Sequence, residues 1–380
     1  MNSHDSEICT HAFEDGLEHH GAIAPPLYQT SLFRFADLES FSHAQLRERE
    51  HFVYSRGLNP TVKLLEDKLA ALERGEACKA FASGMGAIAA TLFSLLRQGD
   101  HVVRVNQTYG PTVELLDQMA HYGIAHDGTS GRLENVLQTL RPDTRVIYIE
   151  SPSSMRMEVT DLAAIAGLAR ERGIITVIDN TWATPLFQKP LTHGIDLSIH
   201  SLSKYLGGHS DVVGGAVIGE RSLIDRLFAC GHQLLGAALS PHSASLVLRG
   251  LRTLPLRMRQ HQANGLAVAD YLANHPLVEE LHHPSQLRGA EADLAQRQMH
   301  GQSGLLSFRL SCPNYARTAR FIDALRLFKI GVSWGGYESL AISPLRPDGS
   351  GQALIRLAIG LEDIEAILAD LKRGFTAIGP

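Results

Sequence analysis

The chain has 380 residues, of which 44% are hydrophobic and 20% charged, so it is long enough for two or three domains. Its formal net charge of −5, without a long Lys/Arg run, argues against a dedicated nucleic-acid binder. Four widely spaced cysteines, no signal-peptide pattern and no apolar run of about 18 residues predict a cytoplasmic protein without a membrane span.

The first predicted element is an extended, irregular N-terminal arm over residues 1–55, where Pro25-Pro26 interrupt any helix. From residue 56 the pattern becomes regular. TVKLLEDKLAALERG has apolar residues at helical spacing, and a second helix follows the turn ASGMG. The arm is therefore expected to precede a compact α/β region.

Short apolar strands then alternate with helices. We predict strands at HVVRV, RVIYIE, IITVID, DLSIH and VVGGAVIG, and helices at GPTVELLDQMAHYG and TDLAAIAGLARERG, the latter opened by Thr160. Near-continuous apolar strands between helices indicate a parallel sheet covered on both faces. The pattern predicts a large α/β domain over 56–240. A long helical segment, GLLSFRL, LIRLAIG and a final helix predict a smaller α/β domain over 241–380.

Three polar groups follow predicted parallel strands, at the sheet edge where ligands bind. Asp179 closes IITVID, Glu150 closes RVIYIE, and Lys204 comes shortly after DLSIH. Either acid is equally well explained as a helix cap or an ion-pair partner in a loop. The 19 histidines form no HExxH or similar spacing, so we predict no metal site.

The segment ASGMGAIA fits a relaxed dinucleotide pattern, G-x-G-x-x-A, through Gly84, Gly86 and Ala89. Glycines at a helix N-terminus leave backbone N–H groups accessible to any phosphate. Close packing of the helix on a strand is an equally good explanation. A nicotinamide-dependent oxidoreductase, with Asp100 downstream, is a remote alternative, and the absence of G-x-x-x-x-G-K-[ST] argues against a Walker-type NTPase.

Together these groups are the parts of a pyridoxal 5'-phosphate (PLP) site. Lys204 would form a Schiff base with the aldehyde, and Asp179 would keep the pyridinium nitrogen protonated. The glycines after Lys204 would leave room for the ring. An ordinary solvated loop lysine remains open at this point.

Five motifs occur in the order found in one family: YSRGLNPT, ASGMGA, IDNTWATP, HSLSKYLGGHSDVVGG and SWGGYESL. In them the chain resembles, over almost its whole length, the Cys/Met-metabolism PLP enzymes, relatives of cystathionine γ-synthase, γ-lyase and β-lyase. The resemblance implies the PLP-dependent transferase fold type I, with a mostly parallel central sheet covered by helices. It also implies an amino-acid substrate and a homotetramer built from two dimers that share active sites.

The resemblance also implies residue roles. Lys204 would be the Schiff-base lysine and proton carrier, Asp179 the pyridinium partner and Tyr109 the ring that stacks on the cofactor. The phosphate would be held by backbone amides of Gly84 and Met85, by hydroxyls of Ser201 and Ser203, and by Tyr54 and Arg56 of the neighbouring subunit.

Substrate residues follow from the same resemblance. Arg356 would clamp the α-carboxylate, with Ser333 and Trp334 beside it. Trp334 and Trp182 are similar to the bacterial β-lyase pattern, and Ser154 stands where γ-enzymes usually have asparagine. YSRGLNPT, in contrast, looks more like the γ-enzymes.

We therefore predict a PLP-dependent carbon–sulfur lyase, closest to bacterial cystathionine β-lyase. It would convert cystathionine or a similar sulfur amino acid to homocysteine, pyruvate and ammonia by β-elimination. The alternative is a γ-lyase or γ-synthase that acts on cystathionine, an activated homoserine or another amino acid with a γ leaving group. Glu48 and Glu50 either meet a cationic distal group of the substrate or form a solvated loop face.

Overall fold

The computed structural model describes residues 3–14 and 19–379, which form two sheets and their covering helices. The helices are α1 (Ser3–Thr10), α2 (Leu38–Gln45), α3 (Pro60–Glu73), α4 (Gly84–Leu95), α5 (Gly110–Ala120), α6 (Leu133–Thr139), α7 (Leu162–Arg172), α8 (Thr184–Phe187), α9 (Arg221–Leu227), α10 (Gln233–Leu235), α11 (Pro241–Ala273), α12 (Gly289–Gln298), α13 (Tyr315–Asp323) and α14 (Ile364–Ile378). The strands are β1 (Ala77–Phe81), β2 (His101–Val105), β3 (Ala125–Thr129), β4 (Thr144–Glu150), β5 (Ile175–Asp179), β6 (Leu197–Ser201), β7 (Gly215–Gly219), β8 (Val278–His282), β9 (Leu305–Leu310), β10 (Lys329–Ile330), β11 (Leu340–Ile342) and β12 (Ile355–Ala358). Within the described ranges, no helix is long and apolar enough to cross a membrane.

The first sheet has seven strands in the order β1-β7-β6-β5-β4-β2-β3. Strands β2 to β6 run parallel to one another, whereas β7 runs antiparallel to both β6 and β1. Buried aliphatic side chains on both faces pack against helices, which is the arrangement expected of a parallel sheet. The predicted fold, a mostly parallel sheet covered by helices, is confirmed.

The second sheet has five strands in the order β10-β11-β12-β9-β8 and is mostly antiparallel. Its apolar face packs against α11, α13 and α14. Helix α11 has 33 residues, continues through Pro255 and begins at the N-cap Ser240, whose hydroxyl accepts the N–H of Ser243. The helix contacts α1 and α3 near one end and β8, β9 and α14 toward the other.

The N-terminal arm is less irregular than the sequence predicts, because it contains α1 and α2. Helix α1 buries Ile8 and Cys9 against α3 and α11. The amine of buried Lys68 donates to the carbonyl of Ile8 at 2.8 Å and lies 3.0 Å from a carboxylate oxygen of Glu14. Tertiary packing of this kind stabilises a helix too short to be recognised from its own periodicity.

In the first sheet and its helices, two strands and one helix start also differ from prediction. Strand β1 was not predicted, because it carries the charged Lys79, which is buried beside Glu66 at 3.0 Å. Strand β3 was not predicted either, because this edge strand has the polar sequence AHDGT. Helix α7 is capped by Asp161, which accepts the N–H of Ala164 at 3.0 Å, rather than by Thr160.

Candidate active site

A cavity of about 500 Å³ opens at the carboxyl edge of the first sheet, where the segment before β11 and strand β12 of the second sheet cover it. Its side chains come from both sheets: Ser83, Gly84, Met85, Ile88, Tyr109, Glu150, Pro152, Ser154, Asp179, Thr181, Trp182, Ile199, Ser201, Ser203, Lys204, Val213, Val332, Ser333, Trp334 and Arg356. Another cavity, of about 590 Å³, lies under the N-terminal arm and contains none of the predicted site residues.

The start of α4 forms the polar end of this cavity. Ser83 caps the helix by accepting the N–H of Gly86 at 2.9 Å, so Gly84 and Met85 occupy the first turn. A Cβ on Gly84 would lie only 3.2 Å from the Cβ of Ser201, so this position requires close backbone approach. First-turn N–H groups lack helical acceptors and suit an anion.

Ser203 also faces this helix start within the cavity. Its hydroxyl oxygen accepts the N–H of Gly214 at 3.1 Å, which leaves the hydroxyl hydrogen free to donate. Two serine hydroxyls and a helix N-terminus therefore line one end of the cavity. This donor set fits a phosphate group, as PLP would require.

Asp179 ends β5, the central strand of the first sheet, and its half-buried carboxylate lines the cavity. One of its oxygens accepts from both the backbone N–H and the hydroxyl of Thr181. Burial raises the pKa of Asp179, while the charge of Lys204 opposes that rise. A cationic ring nitrogen would relieve the cost of this buried charge, so the residue fits the pyridinium end of PLP.

Lys204 lies in the loop after β6, with its amine directed toward the second sheet. The amine donates to the hydroxyl of Ser333 and lies 5.4 Å from the ring centroid of Trp334. Burial lowers the pKa of Lys204 to about 8, with a further contribution from the positive charge of Arg356. A lysine with this pKa has a substantial neutral, nucleophilic fraction near neutral pH.

Arg356, on β12, places a guanidinium in the same cavity. Its Nη1 donates to the carbonyl of Ser154 at 3.4 Å, and burial lowers its pKa. Tyr109 stands at the N-terminus of α5, with 47% of its surface exposed at the cavity mouth. Trp182 is buried at the cavity wall, and its indole N–H has no acceptor among the described residues.

Glu150 lies in the cavity, as its strand-end position indicated, but the sequence did not reveal its hydrogen-bond partners. One carboxylate oxygen accepts the backbone N–H of Tyr109 at 2.7 Å, and the other accepts that of Ser154 at 2.8 Å. Burial, followed by the adjacent Asp179, raises the pKa of Glu150 to about 7. Its position at the end of a buried strand was the available signal, but its partners are distant in sequence.

Tyr54 and Arg56 lie outside this cavity in the same chain. Arg56 Nε donates to the side-chain oxygen of Gln233 at 3.1 Å, and the guanidinium lies 5.7 Å from the Tyr54 ring centroid. The side-chain amide of Gln233 donates to Glu48 at 2.9 Å, and Glu50 lies 3.8 Å from Arg47. None of the arm residues predicted to contact ligand lines this chain's own cavity.

Gly208, in the glycine pair that follows Lys204, has a different function from the predicted one. Neither Gly207 nor Gly208 lines the cavity. Gly208 has a φ of +72°, and a Cβ there would lie 2.0 Å from the Arg257 guanidinium. That guanidinium donates to the carbonyl of Tyr205 at 2.7 Å. Gly208 therefore gives room to a buried arginine and not to a ring.

The dinucleotide interpretation also lacks support. Asp100 precedes β2 and therefore lies at the amino ends of the parallel strands, whereas the Gly84 turn lies at their carboxyl ends. It accepts the backbone N–H of Arg97 at 2.7 Å and lies 3.5 Å from Arg145. A ribose bound near α4 is out of its reach.

Comparison with known proteins agrees with the fit of this cavity to PLP. The model of the Cys/Met metabolism PLP-dependent enzyme family matches residues 7–376. L-methionine gamma-lyase of Pseudomonas putida is 42% identical over 382 residues, covering 96% of this chain and 95% of that protein. Cystathionine gamma-lyase of Bacillus subtilis (strain 168) is 37% identical over 381 residues, covering 96% and 97%.

A solved structure extends the similarity to three dimensions. The crystal structure of cystathionine gamma-lyase from Lactobacillus plantarum complexed with L-serine matches with a TM-score of 0.89 and 34% identity. The match covers 100% of this chain and 99% of that chain. The PLP cofactor predicted from the motifs is confirmed by these findings. The chain belongs to the Cys/Met-metabolism family of PLP-dependent enzymes and is a carbon–sulfur lyase of that family.

Proposed function

We propose that the protein is a γ-lyase that removes the sulfur substituent from Cγ of methionine, cystathionine or a similar amino acid. The observation that carries the lyase chemistry is the placement of the Lys204 amine, with its pKa lowered to about 8, in one cavity with Arg356. The γ-specificity is supported by the relatives, which are named L-methionine gamma-lyase and cystathionine gamma-lyase.

This proposal replaces β-elimination, our first prediction, with its alternative. Trp334 lies beside the Lys204 amine, and the Ser154 carbonyl accepts from Arg356. Both therefore contact groups that serve β- and γ-elimination alike. Similarity at these positions, and at Trp182, is consequently a weak guide to which bond is broken.

The cavity residues divide into groups that hold different parts of the cofactor. We assign the phosphate to the Gly84 and Met85 amides with the hydroxyls of Ser201 and Ser203. Asp179 would pair with the ring nitrogen, since its burial favours a cationic partner. The remaining assignments are Tyr109 for stacking on the ring and Lys204 for the covalent bond to the cofactor.

When bound, PLP supplies an electron sink for negative charge developing at the substrate Cα. Arg356 binds the α-carboxylate and orients Cα toward the amine of Lys204. In its neutral form Lys204 would take the proton from Cα, and, once it has released that proton, the same amine would take a proton from Cβ. Release of sulfur from Cγ then requires an acid, and the phenol of Tyr109 at the mouth is our candidate.

The overall reaction balances with one water. The Cγ–S bond breaks, the sulfur leaves as a thiol after gaining a proton, and the amino-acid remainder leaves as 2-oxobutyrate and ammonia. Products therefore identify the broken bond. We expect purified protein incubated with L-methionine or L-cystathionine to release 2-oxobutyrate. Pyruvate as the main keto acid from cystathionine would overturn γ-specificity and restore β-elimination.

We also propose that Tyr54 and Arg56 serve the cavity of a second copy, within a homotetramer of two dimers. Both residues lie outside their own chain's cavity, and Tyr54 is 46% exposed. Lys204→Ala and Arg56→Ala are both expected to be inactive alone. Their mixture, after subunit exchange, would regain activity because mixed dimers contain one intact site. Mixed dimers without activity would contradict a shared site.

A further inference from the structure

Glu150 connects cavity residues that stand on separate elements. It ends β4, and its two carboxylate oxygens accept the backbone N–H groups of Tyr109, before α5, and Ser154, in the following loop. The carbonyl of the same Ser154 accepts from Arg356 on β12. One buried carboxylate is thus linked by hydrogen bonds to the aromatic residue at the mouth and, through Ser154, to the carboxylate clamp.

We propose that Glu150 is a positioning residue, which holds the Tyr109 ring over the cofactor and orients the Ser154 carbonyl against Arg356. The proposal rests on the proposed function, since it assumes that Tyr109 stacks on PLP and that Arg356 binds substrate. Glu150 itself contacts backbone groups and is not proposed to exchange protons with the substrate.

The chemistry of a carboxylate explains why this residue type is needed. Burial and the adjacent Asp179 raise the pKa of Glu150 to about 7, so the ionised form prevails above that pH. In that form the carboxylate offers acceptors on both oxygens and no donor, which matches two converging backbone N–H groups. A glutamine of the same length has one acceptor and one NH2 group, so one of the two N–H groups would face a donor. An aspartate keeps the charge but is one methylene shorter and reaches at most one of the two amides.

Burying the Glu150 carboxylate costs free energy, and a role in the site would explain why this residue is kept there. It is 4% exposed, lies opposite Asp179 in the β4–β5 register and lines the cavity. Two neighbouring carboxylates in one buried site repel each other.

Glu158 provides a matched control. It lies in the same region, and one of its oxygens accepts the backbone N–H of Gln107 at 3.3 Å and the hydroxyl of Ser153 at 3.2 Å. It does not line the cavity. Glu158→Gln removes the same charge near the same loops without altering the bonds to Tyr109 and Ser154.

The test is titration of apoprotein with PLP, followed by absorbance, for wild type, Glu150→Gln, Glu150→Asp and Glu158→Gln. We expect the PLP dissociation constant to rise about tenfold or more in both Glu150 variants and to change less than about twofold in Glu158→Gln. Circular dichroism checks that each variant is folded. In steady-state assays with L-methionine, kcat is expected to fall in the Glu150 variants, because a displaced tyrosine changes the orientation of the ring.

Several results would overturn the inference. Folded Glu150 variants with wild-type PLP affinity and an unchanged absorbance spectrum would show that Glu150 only stabilises the chain. An equal loss of affinity in Glu158→Gln would show a general loop effect. The PLP titration needs no substrate, so it decides the role of Glu150 even if the wild type releases no 2-oxobutyrate. Wild type that fails to bind PLP would overturn both proposals.

Discussion

The amine of Lys204 donates a hydrogen bond to the hydroxyl of Ser333, which comes from the segment between β10 and β11. The amine therefore belongs to the loop after β6 of the first sheet, whereas its acceptor belongs to a segment of the second sheet. Ser333 has a φ of +80°, a conformation that is rare for residues other than glycine. The hydroxyl that accepts from Lys204 therefore stands on a strained backbone position.

Two substitutions of Ser333 distinguish the effect of its hydroxyl on turnover from the effect of its positive φ on stability. Ser333→Ala and Ser333→Gly both remove the acceptor, so we expect kcat to fall about tenfold in each, while PLP remains bound. Ser333→Gly is expected to be more stable than Ser333→Ala by about 1 kcal/mol, because glycine adopts positive φ without cost. Steady-state kinetics and thermal unfolding measure the two effects. Wild-type kcat in Ser333→Ala would contradict a role for the hydroxyl.

Covalent capture of PLP by apoprotein should depend on the pKa of Lys204. Burial lowers that pKa from 10.5 to about 8, and only the neutral amine attacks an aldehyde. The capture rate is therefore expected to rise about tenfold per pH unit below pH 8 and to level off above it. Rapid-mixing absorbance measures this rate.

The same experiment tests the contribution of Arg356. Its positive charge lowers the pKa of Lys204, so Arg356→Ala is expected to move the midpoint of the rate profile to higher pH. Lys204→Ala should show no covalent capture at any pH. A midpoint near pH 10 in wild type would contradict a buried, depressed lysine.

Substrate affinity should depend on the shape of the Arg356 side chain as well as its charge. Arg356→Lys keeps the charge but loses the planar pair of donors, so we expect KM for L-methionine to rise about tenfold or more. Arg356→Ala should raise KM further. The control is Arg309→Lys on β9 of the same sheet, where Arg309 pairs with partly exposed Glu279 and Glu280. Equal KM values for the two lysine variants would argue against the clamp.

Asp370 should contribute strongly to stability away from the active site. Its buried carboxylate accepts backbone N–H groups from three successive residues, Arg326, Leu327 and Phe328. Asp370→Asn places an NH2 group against these donors, and we expect the free energy of unfolding to fall by about 2 kcal/mol. Urea denaturation measures the change. The exposed Asp323→Asn is the control, and equal losses would refute this role of the carboxylate.

Much of the first sheet was predictable because burial on both faces makes a strand apolar throughout. HVVRV, RVIYIE, IITVID and DLSIH correspond to β2, β4, β5 and β6. Strand β3 carries no such signal, because an edge strand with exposed positions does not need apolar residues. Strand β1 pairs antiparallel with β7, which lies far along the chain, so its place in the sheet depends on a non-local contact.

The candidate site shows the same division between local and non-local information. Strand ends indicated Asp179, Glu150 and Lys204, which the structure places in one cavity. The importance of Glu150 arises from backbone groups that no spacing rule connects to it. Gly208 was misread because the group that requires its missing side chain, Arg257, belongs to a helix much later in the sequence.

Helix α11 has a consequence for how the enzyme would select amino acids. At about 1.5 Å per residue it extends for about 50 Å and packs against elements near both sheets. Rotation of one sheet relative to the other would disturb this packing, so we expect the separation of Lys204 and Arg356 to change little when a substrate binds. We therefore expect discrimination by length. For a substrate whose carboxylate is bound by Arg356, selection would depend on the distance from that carboxylate to the leaving atom, which extends toward the cavity mouth beside Tyr109.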